Sequence, residues 1–176
     1  MSESPGTVWT VGHSTRPFDE LRAMLEEAGV TCLVDVRRFA GSRRNPQYSP
    51  DALRERLGDA YLPLPGLGGR RTPAPDSPND AWRVAAFRGY ADHLTSEEYR
   101  SARGELTARA RGERCAVMCA EAVWWRCHRR LIADDLTVRG WHVLHLMGPG
   151  KAVPHPLHPD ARVVDGTLRY PAEPVR

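Results

Sequence analysis

The residues with the most chemistry in this 176-residue chain fall into short, separated groups. Gly12-His13-Ser14, Asp35-Val36-Arg37 and Cys119-Ala120-Glu121 each follow a short apolar run, and His145 lies inside one. Carboxylate, imidazole and guanidinium together suit proton transfer on an anionic substrate, as in hydrolysis or group transfer. Glu121 or Asp35 is the candidate general acid or base, with His13 or His128 as its proton partner. Arg37, Arg43 and Arg129 are the candidates to hold the anion, beside Ser14, Cys119, Cys127 and His145.

The segment Cys119 to Arg130 is the densest of these, with Trp124-Trp125 and Cys127-His128-Arg129-Arg130 following Glu121. A thiol between a strand end and a helix N-terminus can be stabilised as thiolate, which raises nucleophilic catalysis by cysteine. Six residues separate Cys119 from Arg126, two of them tryptophan and none glycine, so the anion-wrapping loop of phosphatases and rhodaneses does not fit. Metal binding through Cys115, Cys119, Cys127 and His128 is a further alternative, although the spacing lacks the close cysteine pairs of structural zinc sites. Each residue also has a plainer reading. Asp35 can pair with an arginine for structure, His13-Ser14 can start a helix, and His145, alternating with Val143, can be a satisfied core histidine.

Net charge is +3, yet 24 of the 25 basic residues are arginine, with Lys151 the exception. Between Asp35 and Arg71 eight arginines face four acids, so any anionic partner should be met there. Within that stretch the run Arg37 to Tyr48 holds four arginines, no acid and the aromatics Phe39 and Tyr48. That mixture grips phosphate and stacks on bases, although a solvated arginine-rich loop has the same composition.

These groups need a scaffold that brings strand ends together. Short runs rich in Val, Leu and Cys alternate with amphipathic helical patterns, the signature of βαβ units on a parallel sheet. Strands are expected at 7–11, 31–34, 60–64, 115–118 and 142–146. Helices are expected from Pro17 to Ala28, with Gly29 as stop, from Ser49-Pro50 to Leu57, and over 81–93. A further helix starts from a Thr95/Glu98 capping box and ends at Gly112, and another runs over 124–139. Five prolines and three glycines between Pro63 and Asp80 make that stretch a loop, of the kind that forms lids or binding segments. An Asp165-Gly166 turn predicts a late hairpin. The expectation is α/β: a single domain with a mostly parallel sheet of about five strands flanked by helices, with a C-terminal hairpin. Residues 1–6 are read as a flexible N-terminus, 7–147 as the domain and 148–176 as a Pro-rich extension.

Several motifs together resemble, in order and spacing, the domain of unknown function 488 family. They are Thr10-Val11-Gly12-His13-Ser14, Asp35-Val36-Arg37, Ser42-Arg43 with Asn45-Pro46-Gln47-Tyr48, and Leu67-Gly68-Gly69. Gly89-Tyr90-Ala91, Cys119-Ala120-Glu121, Cys127-His128-Arg129 and Val143-Leu144-His145-Leu146 complete the set. The resemblance spans about Val8 to Leu146, and Val123-Trp124 departs from it where many members have an acidic residue and proline. It implies one α/β domain whose motif residues line a common pocket, adds Tyr90 to the substrate-binding candidates beside Tyr48, and implies no particular reaction.

In open parallel sheets ligands bind outside the carboxyl ends of the strands, which is where these groups fall. The expected function is an enzyme, a hydrolase or transferase, on an anionic substrate of nucleotide or nucleic-acid type. The alternatives are a nucleic-acid or nucleotide-binding module without turnover, and a Cys/His metal-dependent protein. No dinucleotide fingerprint or P-loop is present, and the cofactor and oligomeric state stay open. Four cysteines without a disulfide-framework spacing, no apolar run near a membrane span, and a start without signal-peptide character predict a cytoplasmic protein.

Overall fold

The computed structural model describes residues 4–41 and 43–173. Ser42, residues 1–3 of the expected flexible N-terminus and residues 174–176 of the extension lie outside them. The elements run β1 (Thr7–Gly12), α1 (Phe18–Glu27), β2 (Cys32–Asp35), α2 (Pro50–Leu57), β3 (Tyr61–Pro63), α3 (Ala85–His93) and α4 (Glu97–Gly112). Then follow β4 (Cys115–Cys119), α5 (Arg129–Val138), β5 (His142–Gly148), β6 (Lys151–Pro154), β7 (Arg162–Val164) and β8 (Thr167–Arg169). The sheet order is β3-β2-β4-β1-β5-β6, parallel except for antiparallel β6, with β7 and β8 as a separate hairpin. The protein is thus α/β, with a mostly parallel sheet of six strands flanked by five helices. No helix among the described residues is long and apolar enough to cross a membrane.

Strand alternation sorts the core into two layers. Val8, Val34, Val117 and Val143 pack under α3, α4 and α5, against Tyr90, Leu106, Leu131 and Ile132. Trp9, Val11, Leu33 and Met118 pack on the other face, against Phe18, Leu21 and Met24 of α1 and Leu53 of α2. Burying a side chain such as Leu21 contributes about 1.5–3 kcal/mol. Ser49 caps α2 by accepting from the Ala52 amide at 3.2 Å, as its sequence context predicts.

Three local expectations need correction. The cap of α4 is Ser96, whose hydroxyl accepts from the Tyr99 amide at 3.1 Å; Thr95 donates to the Asp92 carbonyl, and Glu98 pairs with Arg71. The helix expected over 124–139 is broken into a single 3-10 turn at Trp124–Arg126 and then α5. Cys127 between them is extended because its thiol sits on Cys119, and Arg129 ties the chain to the carbonyls of Glu121 and Ala122. Finally, β6 adds an edge strand inside the proline-rich stretch. Edges tolerate proline because the missing donor can face outward.

The extension beyond Gly148 is built into the core through Asp134 of α5, which is fully buried. Its oxygens accept from His155 at 2.7 Å, Tyr170 at 2.7 Å and the His158 amide at 3.1 Å. His155 Nδ1 meets His145 Nε2 at 2.8 Å, and His145 Nδ1 meets the Thr10 hydroxyl at 2.5 Å. Since Asp134 accepts from His155, the protons are assigned along the chain as Thr10 to His145 to His155 to Asp134. Trp124 stacks on His145 at 4.6 Å. Burial, with the neighbouring His155 and Arg129, holds His145 far below the usual imidazole range.

Candidate functional site

The connections leaving β1 and β2 pass to the α1/α2 face, whereas the connection leaving β4, which lies between them, passes to the face of α5. Such a reversal splays the outgoing loops and opens a crevice at the carboxyl ends. The β4 end, Cys119-Ala120-Glu121, occupies it. Main-chain bonds from His13 to the Cys119 carbonyl (2.9 Å) and Ser14 to the Ala120 carbonyl (3.0 Å) carry the ladder past β1. Gly12 makes this approach possible: a Cβ there would lie 1.8 Å from the Glu121 carbonyl oxygen. Glycine serves here through lack of volume, not through a left-handed backbone.

Two clefts flank the β4 end. The larger, about 540 Å³, lies within the range of small-molecule sites. Its floor is Cys119, Cys127 and His128, its walls Phe39, Val84, Phe87 and Trp125, and its rim Arg38, Arg70 and Arg126. Phe39, Val84 and Trp125 are 63%, 56% and 44% exposed, so three of the most exposed large apolar side chains converge on one opening. Two guanidinium groups lie against the Phe39 ring, Arg38 at 5.2 Å and Arg70 at 5.4 Å from its centre. The second cleft, about 310 Å³, is lined by His13, Ser14, Thr15, Arg44 and Asn45, and shares Ala120 and Glu121 with the first. Ser14 and Arg70, one on each cleft, have left-handed φ of 48° and 60°. Backbone held in that region by non-glycine residues tends to mark functional loops.

The expected acid and base residues separate into two groups. Asp35 is 2% exposed and accepts from Arg37 Nε (2.8 Å) and Nη2 (2.7 Å) and from the Tyr61 hydroxyl (2.6 Å). Arg37 also donates to the Tyr48 carbonyl at 2.6 Å and to His13 Nε2 at 3.3 Å. His13 gives its other ring proton to the Ser14 carbonyl and stacks on Tyr48 at 4.3 Å. Burial lowers its pKa, so both ring nitrogens are engaged in a neutral imidazole. Burial pushes the Tyr48 phenol up to about 12, and its hydroxyl donates to the Arg16 carbonyl. Asp35, Arg37, His13 and Tyr48 thus form a closed hydrogen-bonded network, through which Arg37 reaches the lining of the larger cleft and His13 that of the smaller.

His128 is on the floor of the large cleft, and burial holds its pKa down to about 4. Its Nε2 is buried with no hydrogen-bond partner among the described residues. Tyr90 is fully buried and donates to the Leu67 carbonyl at 2.7 Å, while His93 holds Gly66 at 2.8 Å; together they seat the glycine loop against His128. Arg129 is 1% exposed, its Nη2 donates to the carbonyls of Glu121 and Ala122 while its buried Nε has no partner among the described residues, and it lines neither cleft. Arg43 is exposed on the loop after β2 and is not among the residues lining either cleft. His145 lies in the buried chain to Asp134. Glu121 is exposed, on the ridge between the clefts, and no hydrogen bond or ion pair holds its carboxylate among the described residues.

Val84 and Phe87 were not expected at the site. Their signal is weak in the chain because the loop and the start of α3 that carry them are remote from the β4 motif. Among the described residues no group of three or more His, Cys, Asp or Glu converges to hold a metal ion.

A family model described as a domain of unknown function, DUF488, matches residues 17–136. The chain belongs to the DUF488 family. No curated protein and no solved structure matches it. The matched span of this DUF488 chain covers Asp35, Tyr90, Glu121 and Cys127-His128-Arg129. Gly12-His13-Ser14, at and just past the end of β1, and His145, on β5, lie outside it.

Proposed function

We propose that this DUF488 protein is an enzyme, a hydrolase or transferase, acting on an anionic substrate with a flat ring, nucleotide or nucleic acid in class. The observation that carries the reading is the unpartnered Glu121 carboxylate on the ridge beside an aromatic cleft rimmed by Arg38, Arg70 and Arg126. Phe39 and Trp125 would stack on the ring, worth about 1–3 kcal/mol per base, and the arginines would neutralise phosphate. Glu121 would take the proton from water or a hydroxyl as it attacks. Four free cysteines fit a reducing compartment such as the cytoplasm.

The test is Glu121→Gln against a panel of nucleotides and short single strands. Turnover should fall about 10²–10⁴-fold while binding is kept; retained turnover would remove Glu121 from the reaction. A second reading, binding without turnover, is favoured by one observation: Asp35, His13 and Arg129 are all engaged within the fold. In that case neither protein turns over any member of the panel. Single-strand affinity then falls with salt at a log–log slope of about −2 for three arginine–phosphate contacts.

A further inference from the structure

We propose that Cys119 and Cys127 form a reversible dithiol–disulfide couple on the floor of the large cleft, oxidised by small hydroperoxides and restored by low-molecular-weight thiols. The inference stands apart from the proposed catalytic role of Glu121, since it rests on the two sulfur atoms and their access. The sulfurs are 2.8 Å apart, and both line the cleft. A disulfide needs about 2.05 Å, so closure asks for less than about 1 Å of movement. Cys119 ends β4 and Cys127 is in the extended segment before α5, so the loop between them can absorb that shift without unwinding either element.

The surroundings divide the labour between the sulfurs. Burial opposes ionisation of Cys119, but the hydrogen bond from Cys127 and the Arg129 charge lower its pKa below the ordinary thiol value. Burial, and the hydrogen bond and charge of Cys119 beside it, push Cys127 up. Redox-sensing pairs combine an ionisable attacking thiol with an adjacent resolving one. The other two cysteines form a similar thiol pair, with the hydrogen bond from Cys115 lowering Cys32, but they are closed off from solvent. Cys32 and Cys115 sit side by side on parallel strands β2 and β4, with no exposed surface.

The reaction balances in two steps. The Cys119 thiolate attacks the distal oxygen of the hydroperoxide, the O–O bond breaks, and Cys119 becomes a sulfenic acid while the departing alkoxide takes up the proton Cys119 released on ionising and leaves as the alcohol, or as water when the oxidant is hydrogen peroxide. Cys127 then attacks that sulfur; hydroxide leaves and takes the Cys127 proton as water. Two thiols and one hydroperoxide give one disulfide, one alcohol and one water, and two molecules of a small thiol reverse the change by exchange.

The experiment treats the full chain with hydrogen peroxide, quenches with an alkylating agent, and reads peptides without reduction. Tryptic cleavage after Arg126 separates the two cysteines, so the expected product is Cys115–Arg126 linked to Cys127–Arg129, with Cys115 alkylated. Thiols counted after denaturation should fall from four to two and return with dithiothreitol. In Cys127→Ser a dimedone-type reagent should trap sulfenic acid on Cys119, and Cys32→Ser should still form the link. A Cys32–Cys115 link, sulfinic acid on a single cysteine without any link, or four thiols surviving excess peroxide would each overturn the proposal. The wild-type peptide map decides the matter even where a serine variant folds poorly.

Discussion

Asp35→Asn distinguishes a carboxylate that holds the fold from one that serves a substrate. Asp35 is 2% exposed and Arg37 7%, so neither charge has water in place of its partner. Asparagine keeps one acceptor where the carboxylate meets Arg37 at 2.7 and 2.8 Å and Tyr61 at 2.6 Å, and turns an NH2 group toward donors. Removing one member of a buried pair costs about 3–5 kcal/mol, because the remaining charge is uncompensated. At about 2–4 °C per kcal/mol for a chain of this size, Tm should drop by roughly 6–20 °C. Thermal and guanidinium unfolding followed by circular dichroism would measure it, with Arg37→Met and the double variant completing a cycle. The two changes should be strongly non-additive, since both break one interaction. A stability within about 1 kcal/mol of the parent, or purely additive losses, would refute the assignment.

Two further outcomes follow from the site. Stability should fall on acidification from pH 7 to 5. Burial lowers the folded pKa of His128, His13 and His93, so below about 6.5 the unfolded chain takes up protons that the folded chain refuses. The stabilisation is complete above that value and is lost below it, His128 alone contributing a decline of up to about 1.4 kcal/mol per pH unit down to about 4, with His13 and His93 acting in the same direction. Denaturant titrations across this range in wild type and His128→Asn check it, the variant showing the shallower decline; a flat wild-type profile would contradict the burial argument. Gly12→Ala should lower stability by about 1–3 kcal/mol and weaken ligand binding in the cleft, because its Cβ must displace the Glu121 carbonyl. Calorimetry would show both effects, and unchanged values would mean that the β1–β4 approach is looser than the backbone implies.

Much of the scaffold is legible in the chain because burial on a strand or helix leaves a local period. The strands at Thr7–Gly12, Cys32–Asp35 and Cys115–Cys119 lie within a residue or so of their expected limits, as do α1 and α2. The failures are equally local in form but not in cause. Trp124 to Arg139 has a continuous helical pattern, yet sulfur contact to Cys119 and the Arg129 bonds to Glu121 and Ala122 pull its first turn out of the helix. Strand β6 escapes notice because its partner β5, not its own composition, makes it a strand.

By itself the sequence determined an α/β chain whose strand ends carry polar groups, since period and turn residues are properties of neighbours along the chain. It could not tell Asp35 from Glu121. Both follow an apolar strand, and both are carboxylates one would assign to a site. Tertiary structure separates them: Arg37 and Tyr61, the latter from the adjacent strand β3, close over Asp35, whereas Glu121 lies past the last ladder bond, where connections on either side diverge. Whether a polar group is satisfied or available depends on partners remote in sequence, and only folding brings those partners within hydrogen-bond reach.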